Sequence, residues 1–183
     1  MKHQSTVWMT VTAFIAAALT MFSPAIKAAD VPDSEQVSKL LSEAKTMAFQ
    51  LKEDAETMES YTRSNAGWES HSIAITQIRE HANALERQVG KLKDAKNTAS
   101  PWQKTAIDRI TPFLDELEGY TSAVIEHINK HPNLLTTPEY KDYLEANADY
   151  AGDLAAMIGD FVDYGRAKQR FQGLTDKLEV PAR

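Results

Sequence analysis

Three histidines in this sequence occur at positions that suit a metal site. His127 and His131 are four residues apart, so a helix would present both on one face. An imidazole pair at this spacing is a known way to bind a transition metal, and a third nitrogen from His71 would complete a three-histidine site. The sequence therefore gives His71, His127 and His131 as candidate metal ligands.

The same histidines also have ordinary structural explanations. His127 and His131 come at the end of a helical pattern, where the helix dipole favours histidine. His71 lies on the apolar face of another pattern, where a hydrogen bond to a neighbour such as Tyr140 or Glu59 would satisfy the ring. Both interpretations stay open from the sequence alone.

Four long helical patterns must position these side chains. Apolar residues recur every three or four positions, most regularly from Trp68 to Leu92, and Ser-Pro, Thr-Pro and Asn/Gly-rich stretches separate the patterns. The predicted helices cover about residues 34–62, 68–96, 101–130 and 138–179. Pro112 lies inside the third pattern, which keeps its phase across it, so we expect one helix that is kinked at this proline and not two helices. No alternating strand pattern occurs.

The short connections predict an all-α fold: an up-down-up-down antiparallel four-helix bundle with a long last helix. This connectivity brings the first and third turns to the same end of the bundle. Histidines, tyrosines and a few other large side chains would gather there, and we call this set the His/Tyr pole. Its members are His71, His127, His131, Met58, Tyr61, Trp68, Tyr140 and Tyr143. The His/Tyr pole is thus a candidate ligand site.

The end of the last helix is unusual. It outruns its neighbours by roughly ten residues, or about 15 Å at the helical rise. Basic residues precede an apolar stripe there: Arg166, Lys168 and Arg170, then Phe171, Leu174 and Leu178. Two outcomes stay open. The segment folds across the open end of the bundle, with Gly173 as a hinge, or it is a docking helix for a partner.

Residues 1–28 have the three-part pattern of a secretory signal peptide. Lys2 gives a positive start, and Ala28 follows a break as a cleavage site. The apolar run between Val7 and Phe22 is shorter than the ~20 residues of a spanning helix. We therefore expect residues 29–183 to be a single exported domain, in the periplasm or outside the cell. The mature chain should contain no transmembrane segment.

Composition excludes several classes of protein. The chain has no cysteine, which excludes disulfides, a lipoprotein anchor, thiolate metal sites and covalent haem attachment. Its formal charge of −6 becomes −8 without residues 1–28, because that segment carries two lysines and no acid. An acidic domain is a poor candidate for nucleic acid, since phosphate binding needs clustered Lys and Arg.

Cofactor and catalytic patterns are also missing. Met58 with a histidine at similar height resembles, in architecture only, the helical-bundle cytochromes. That family places its haem-binding histidine near the end of the last helix, and the last helix here has none, so haem is not predicted. The Glu-x-x-His motif of di-iron bundles, the Gly-x-Ser-x-Gly elbow and glycine-rich phosphate loops are absent. We predict no cofactor beyond the transition metal considered above, and an enzyme is not the favoured class.

The sequence favours an exported, non-enzymatic helical bundle of the cell envelope that acts by binding or scaffolding. We expect its partner to be an envelope protein or a small ligand. The alternative is a small-ligand or metal-binding bundle that uses the His/Tyr pole. The oligomeric state stays open.

Overall fold

Four α-helices account for most of the structure, a computed structural model that describes residues 31–64 and 66–179. They are α1 (Glu35–Ser60), α2 (Trp68–Asp94), α3 (Pro101–Lys130) and α4 (Pro138–Leu178). The predicted all-α, four-helix class is confirmed, and within these residues there is no strand. The predicted signal peptide lies outside the described residues. None of the helices in the described part combines the length and apolarity needed to cross a membrane.

Local signals explain where the helices begin. Ser34 caps α1, because its hydroxyl oxygen accepts a hydrogen bond from the Val37 backbone N–H at 3.4 Å. Proline occupies the first position of α3 and of α4, where its missing N–H costs nothing. α3 passes Pro112 as one continuous helix, as the unbroken apolar phase predicts.

The ends of α1 and α2 differ from the prediction. Each passes into a short 3-10 helix, Tyr61–Arg63 after α1 and Ala95–Thr98 after α2. The predicted helices end at about residues 62 and 96, so the prediction gives α-helix for only the first two residues of each segment. A 3-10 turn is tighter and is common where a helix ends next to a short connection.

The core lies between the four helices and is built from the predicted apolar faces. α1 contacts α2 and α4, and α3 contacts the same two helices. The largest fully buried side chains come from all four: Leu41, Leu51, Met58, Ile78, Leu85, Leu92, Ile107, Ile110, Leu117, Tyr140, Leu144 and Leu154. Burying one such side chain contributes about 1.5–3 kcal/mol, so continuous helical faces are sufficient to explain the fold.

A buried amide ties the start of α1 to the start of α3. The side-chain oxygen of Gln103 accepts hydrogen bonds from the backbone N–H groups of Ser34 and Ser100, both at 3.0 Å. Its amide nitrogen donates to the Ser34 carbonyl at 2.9 Å and to the Ser38 hydroxyl at 3.0 Å. The bond to Ser100 is that of a capping box, in which the residue three positions after the N-cap reaches back to the N-cap backbone. The bonds to α1 make it a tertiary contact as well.

The last part of α4 continues past these contacts. Its 41 residues run through Gly173 without a break. Phe171, Leu174 and Leu178 are 67%, 50% and 64% exposed. The alternative in which this segment folds back over the end of the helices is therefore wrong. We call residues 166–178 the α4 extension.

Candidate functional site

The centre of the His/Tyr pole is a hydrogen bond in the core. The Tyr140 hydroxyl, from the first turn of α4, lies 2.9 Å from His71 Nδ1, in the first turn of α2. Both side chains are buried, and the ring of Tyr61 meets His71 edge-on at 5.4 Å between centroids. Of the two partners that the sequence suggested for His71, the structure selects Tyr140. Glu59 pairs with Arg63 instead.

Burial sets the charge state of this pair. It lowers the pKa of His71 below its ordinary value of 6.5, and it raises the pKa of Tyr140 far above 10. Both groups are therefore neutral near pH 7. In either tautomer of the neutral imidazole, the phenol oxygen and Nδ1 share one hydrogen bond. Nδ1 of His71 is thus engaged by Tyr140.

The other two histidines are arranged differently from each other. His127 is buried, its ring stacks on Tyr140 at 4.7 Å between centroids, and its Nε2–H donates to the Leu134 carbonyl at 3.2 Å. His131 is exposed where α3 ends. Among residues 31–64 and 66–179, no group of three or more His, Asp or Glu side chains is placed to hold a metal ion. The predicted three-histidine site is not assembled in this arrangement.

The remaining members of the His/Tyr pole are divided between core and surface. Met58 is fully buried and fills space in the core. Trp68 is 45% exposed, although the apolar spacing places it on the buried face of its helix. The Tyr143 hydroxyl donates to Glu139 at 3.0 Å in an exposed pair. The structure thus brings His71, His127 and Tyr140 into one cluster, with Tyr143 half-buried beside His127, and leaves Trp68 at the surface.

A second candidate site, which the sequence analysis did not identify, is a groove between α3 and α4. We call it the aromatic groove, with a volume of about 580 Å³. Its main lining residues are Trp102, Arg109 and Phe113 from α3 and Met157, Phe161 and Tyr164 from α4. Thr105 of α3 also lines it, and with Thr105 included the lining residues of each helix recur every three or four positions. That spacing is the signal that could have indicated a second apolar face.

Contacts along the aromatic groove order its side chains. Trp102 and Tyr164 meet edge-on at 5.4 Å between ring centroids. The guanidinium carbon of Arg109 lies 5.8 Å from the centre of the Phe161 ring, a cation–π contact. Asp153 and Asp160 form the rim on the α4 side. A groove with an apolar floor and charged side chains at its edge can bury the apolar stripe of a partner helix. The charges at the edge would then favour one direction of that helix over the other.

Trp102 is held at one end of the groove by contacts with α4 and with the residues before α1. Its indole N–H donates to Asp33 at 2.7 Å, and Lys168 donates to the same carboxylate oxygen at 3.1 Å. Burial raises the pKa of Asp33, but the nearby Ser100 hydroxyl and the hydrogen bonds from Lys168 and Trp102 outweigh it and leave the pKa below its ordinary value. The indole also covers Gly165, where a Cβ atom would lie 2.7 Å from Cη2 of the ring. Any larger residue at Gly165 would therefore displace Trp102.

One face of α4 joins the aromatic groove to the α4 extension. Met157, Phe161 and Tyr164 line the groove, and Phe171, Leu174 and Leu178 continue beyond it in steps of three, four or seven residues. Such steps keep side chains on one broad side of a helix. The two features are thus parts of one apolar surface. One half of this surface lines the groove beside α3, and the other half, on the α4 extension, is exposed.

Comparison of the chain with protein-family models, with curated proteins and with solved structures gives no match.

Proposed function

We propose that this chain is an exported, non-enzymatic protein of the cell envelope that acts by binding or scaffolding, and that α4 carries its binding surface. The observation behind this is the exposure of Phe171, Leu174 and Leu178 on a continuous helix. Burying each of them would contribute about 1.5–3 kcal/mol. Leaving these side chains exposed forgoes that free energy of burial. Contiguous exposed apolar side chains are typical of interaction sites.

The spacing of these three residues supports a particular mode of binding. They occupy positions i, i+3 and i+7 of α4. That is the anchor pattern of an amphipathic helix that lays its apolar face into a hydrophobic groove. The α4 extension is thus the part of this protein that enters a groove, and the aromatic groove is the part that receives one.

We further propose the up-down-up-down antiparallel bundle topology for the four helices. Contacts between helix ends support it. Gln103 at the start of α3 bonds Ser34 at the start of α1, and Lys168 late in α4 lies at the same end through Asp33. At the other end, Tyr140 at the start of α4 contacts His71 and His127.

The proposed location in the envelope depends on the amino-terminal pattern. A positive start, an apolar run and a small-residue cleavage site occupy residues 1–28. The absence of cysteine from the sequence is compatible with an oxidising compartment. Export places the α4 extension among envelope components, which is where its partner is to be sought.

Replacing the apolar stripe tests this function. In the variant Phe171→Ser, Leu174→Ser, Leu178→Ser, the protein should no longer be recovered in a larger complex when the envelope is extracted under native conditions. Ile73→Ser is the matched control, because Ile73 is 62% exposed on α2. It should migrate with the wild type. A triple variant that also migrates with the wild type would contradict the proposal.

A further inference from the structure

We propose that the α4 extension binds in the aromatic groove of a second copy of this chain. Two chains would pair antiparallel along α4, and each would insert its extension into the groove of the other. This inference rests on the proposed function, in which α4 carries the binding surface. It adds the identity of the partner and the register of the contact.

The two surfaces match in length and in character. The α4 extension spans twelve helical steps from Arg166 to Leu178, or about 18 Å, and the α3 wall of the groove spans eleven steps from Trp102 to Phe113, or about 16 Å. The extension offers large apolar side chains and no partner helix of its own. The groove offers aromatic side chains and an open volume of about 580 Å³. Each surface therefore supplies what the other lacks.

Charge fixes the direction of the pairing. The α4 extension carries four basic residues (Arg166, Lys168, Arg170, Lys177) and one acidic residue, Asp176. The α4 rim of the groove carries Asp153 and Asp160. An antiparallel pair centred at residue 165 sets position 160 opposite 170 and position 153 opposite 177. Both contacts join an aspartate to a cation, whereas a parallel pair in register would set each charge against its own copy.

The charges in these contacts are available for a partner. Within the described residues, Asp153, Asp160, Arg170 and Lys177 form no hydrogen bond or ion pair through their side chains. The same antiparallel register brings Phe171 of one chain near Phe161 of the other. Because a two-fold pair makes both contacts twice and then closes, it gives a dimer and not an open chain of copies.

Complementary charge reversals test this register. The purified wild-type protein should sediment as a dimer. Asp160→Lys and Arg170→Glu should each weaken the dimer about tenfold or more, because each turns two attractive contacts into repulsive ones. An equimolar mixture of the two variants should recover the dimer, since the mixed pair has opposite charges at both contacts. Arg79→Glu and Glu80→Lys, exposed on α2, should leave the dimer intact.

Several outcomes would overturn the inference. One is a dimer that ignores both reversals, and another is a mixture that stays monomeric. A wild-type protein that is monomeric at every concentration would also overturn it. Binding of that monomer to vesicles of anionic lipid through the basic extension would not rescue the inference. If that monomer still enters a larger complex in the envelope through the apolar stripe, the proposed function stands and only the second copy is wrong. If no complex depends on the stripe, both fail.

Discussion

The hydroxyl of Tyr140 lies 2.9 Å from Nδ1 of His71, inside the core and between the first turns of two helices. This contact accounts for a histidine on an otherwise aliphatic helix face. It also changes the role of the His/Tyr pole, because the groups that suggested ligand chemistry are used to join α2 and α4. Four of the large apolar side chains that are exposed within residues 31–64 and 66–179 lie further along α4: Tyr164, Phe171, Leu174 and Leu178.

Removing the phenol should destabilise the protein. Tyr140→Phe leaves a buried His71 nitrogen without its partner, which costs about 1–3 kcal/mol of unfolding free energy. Urea unfolding followed by circular dichroism measures this loss. Tyr143→Phe is the matched control, since its hydroxyl bonds Glu139 at the surface, and it should change the free energy by less than about 0.5 kcal/mol. Equal losses in the two variants would contradict the assignment.

His71 should make the protein less stable in mild acid. Burial lowers its pKa in the folded state, so below the ordinary value of 6.5 the unfolded chain binds a proton that the folded chain does not. The free energy of unfolding should therefore fall as pH decreases from about 6.5, by at most about 1.4 kcal/mol per pH unit, until the lower folded pKa is reached. Urea unfolding at a series of pH values measures the slope.

Two histidine variants separate this effect from general acid sensitivity. His71→Gln keeps a hydrogen-bonding side chain beside Tyr140 but cannot titrate, so its slope below about pH 6.5 should be shallower than that of the wild type. His131→Gln, at an exposed position, should keep the wild-type slope. A His71→Gln slope equal to that of the wild type would show that His71 does not control the acid response.

Two glycines of α4 should respond in opposite directions to alanine. At Gly165 the new Cβ would lie 2.7 Å from the Trp102 ring, so Gly165→Ala should cost about 1–3 kcal/mol and change the Trp102 fluorescence. A Cβ added at Gly152 would meet no atom within 4 Å outside its own stretch of helix, so Gly152→Ala should stabilise the helix by about 0.5–1 kcal/mol. Thermal unfolding of both variants measures the two changes in stability. A Gly165→Ala protein as stable as the wild type would show that Trp102 is free to move.

Metal removal tests the remaining alternative for the His/Tyr pole. Since His71 is engaged by Tyr140 and His127 donates to the Leu134 carbonyl, we expect a chelator to leave the melting temperature unchanged. Elemental analysis of the purified protein should accompany the melting curves. A stoichiometric transition metal that is lost in the double variant His127→Ala, His131→Ala, with helicity retained, would establish the alternative.

Periodicity in the sequence was enough for the four helices and for most of the core. It fails where burial depends on a neighbouring helix. Trp68 lies in phase with the buried face of α2 yet is 45% exposed, because spacing gives the direction of a side chain and not whether anything covers it. Gln88 is buried although polar, since the Leu40 carbonyl and Glu43 of α1 accept its hydrogen bonds.

The candidate sites show the same division. The sequence suggested Tyr140 as one of two partners for His71, and the structure has that contact at 2.9 Å. The aromatic groove depends on where α3 and α4 separate at the surface, a relation between two helices that the pattern within each does not contain. The apolar stripe of the α4 extension was predicted only in part. Its residues were evident from the sequence, but their exposure was not.

Photo-crosslinking from position 171 in living cells would test the central claim most directly, with a photoreactive amino acid in place of Phe171. We predict a crosslinked product from position 171 and none from position 73, which is equally exposed but lies on α2. A product with twice the mass of the chain would identify a second copy, and any other mass a different partner. The absence of a product at position 171, or equal products at both positions, would contradict the claim that the α4 extension is a binding surface.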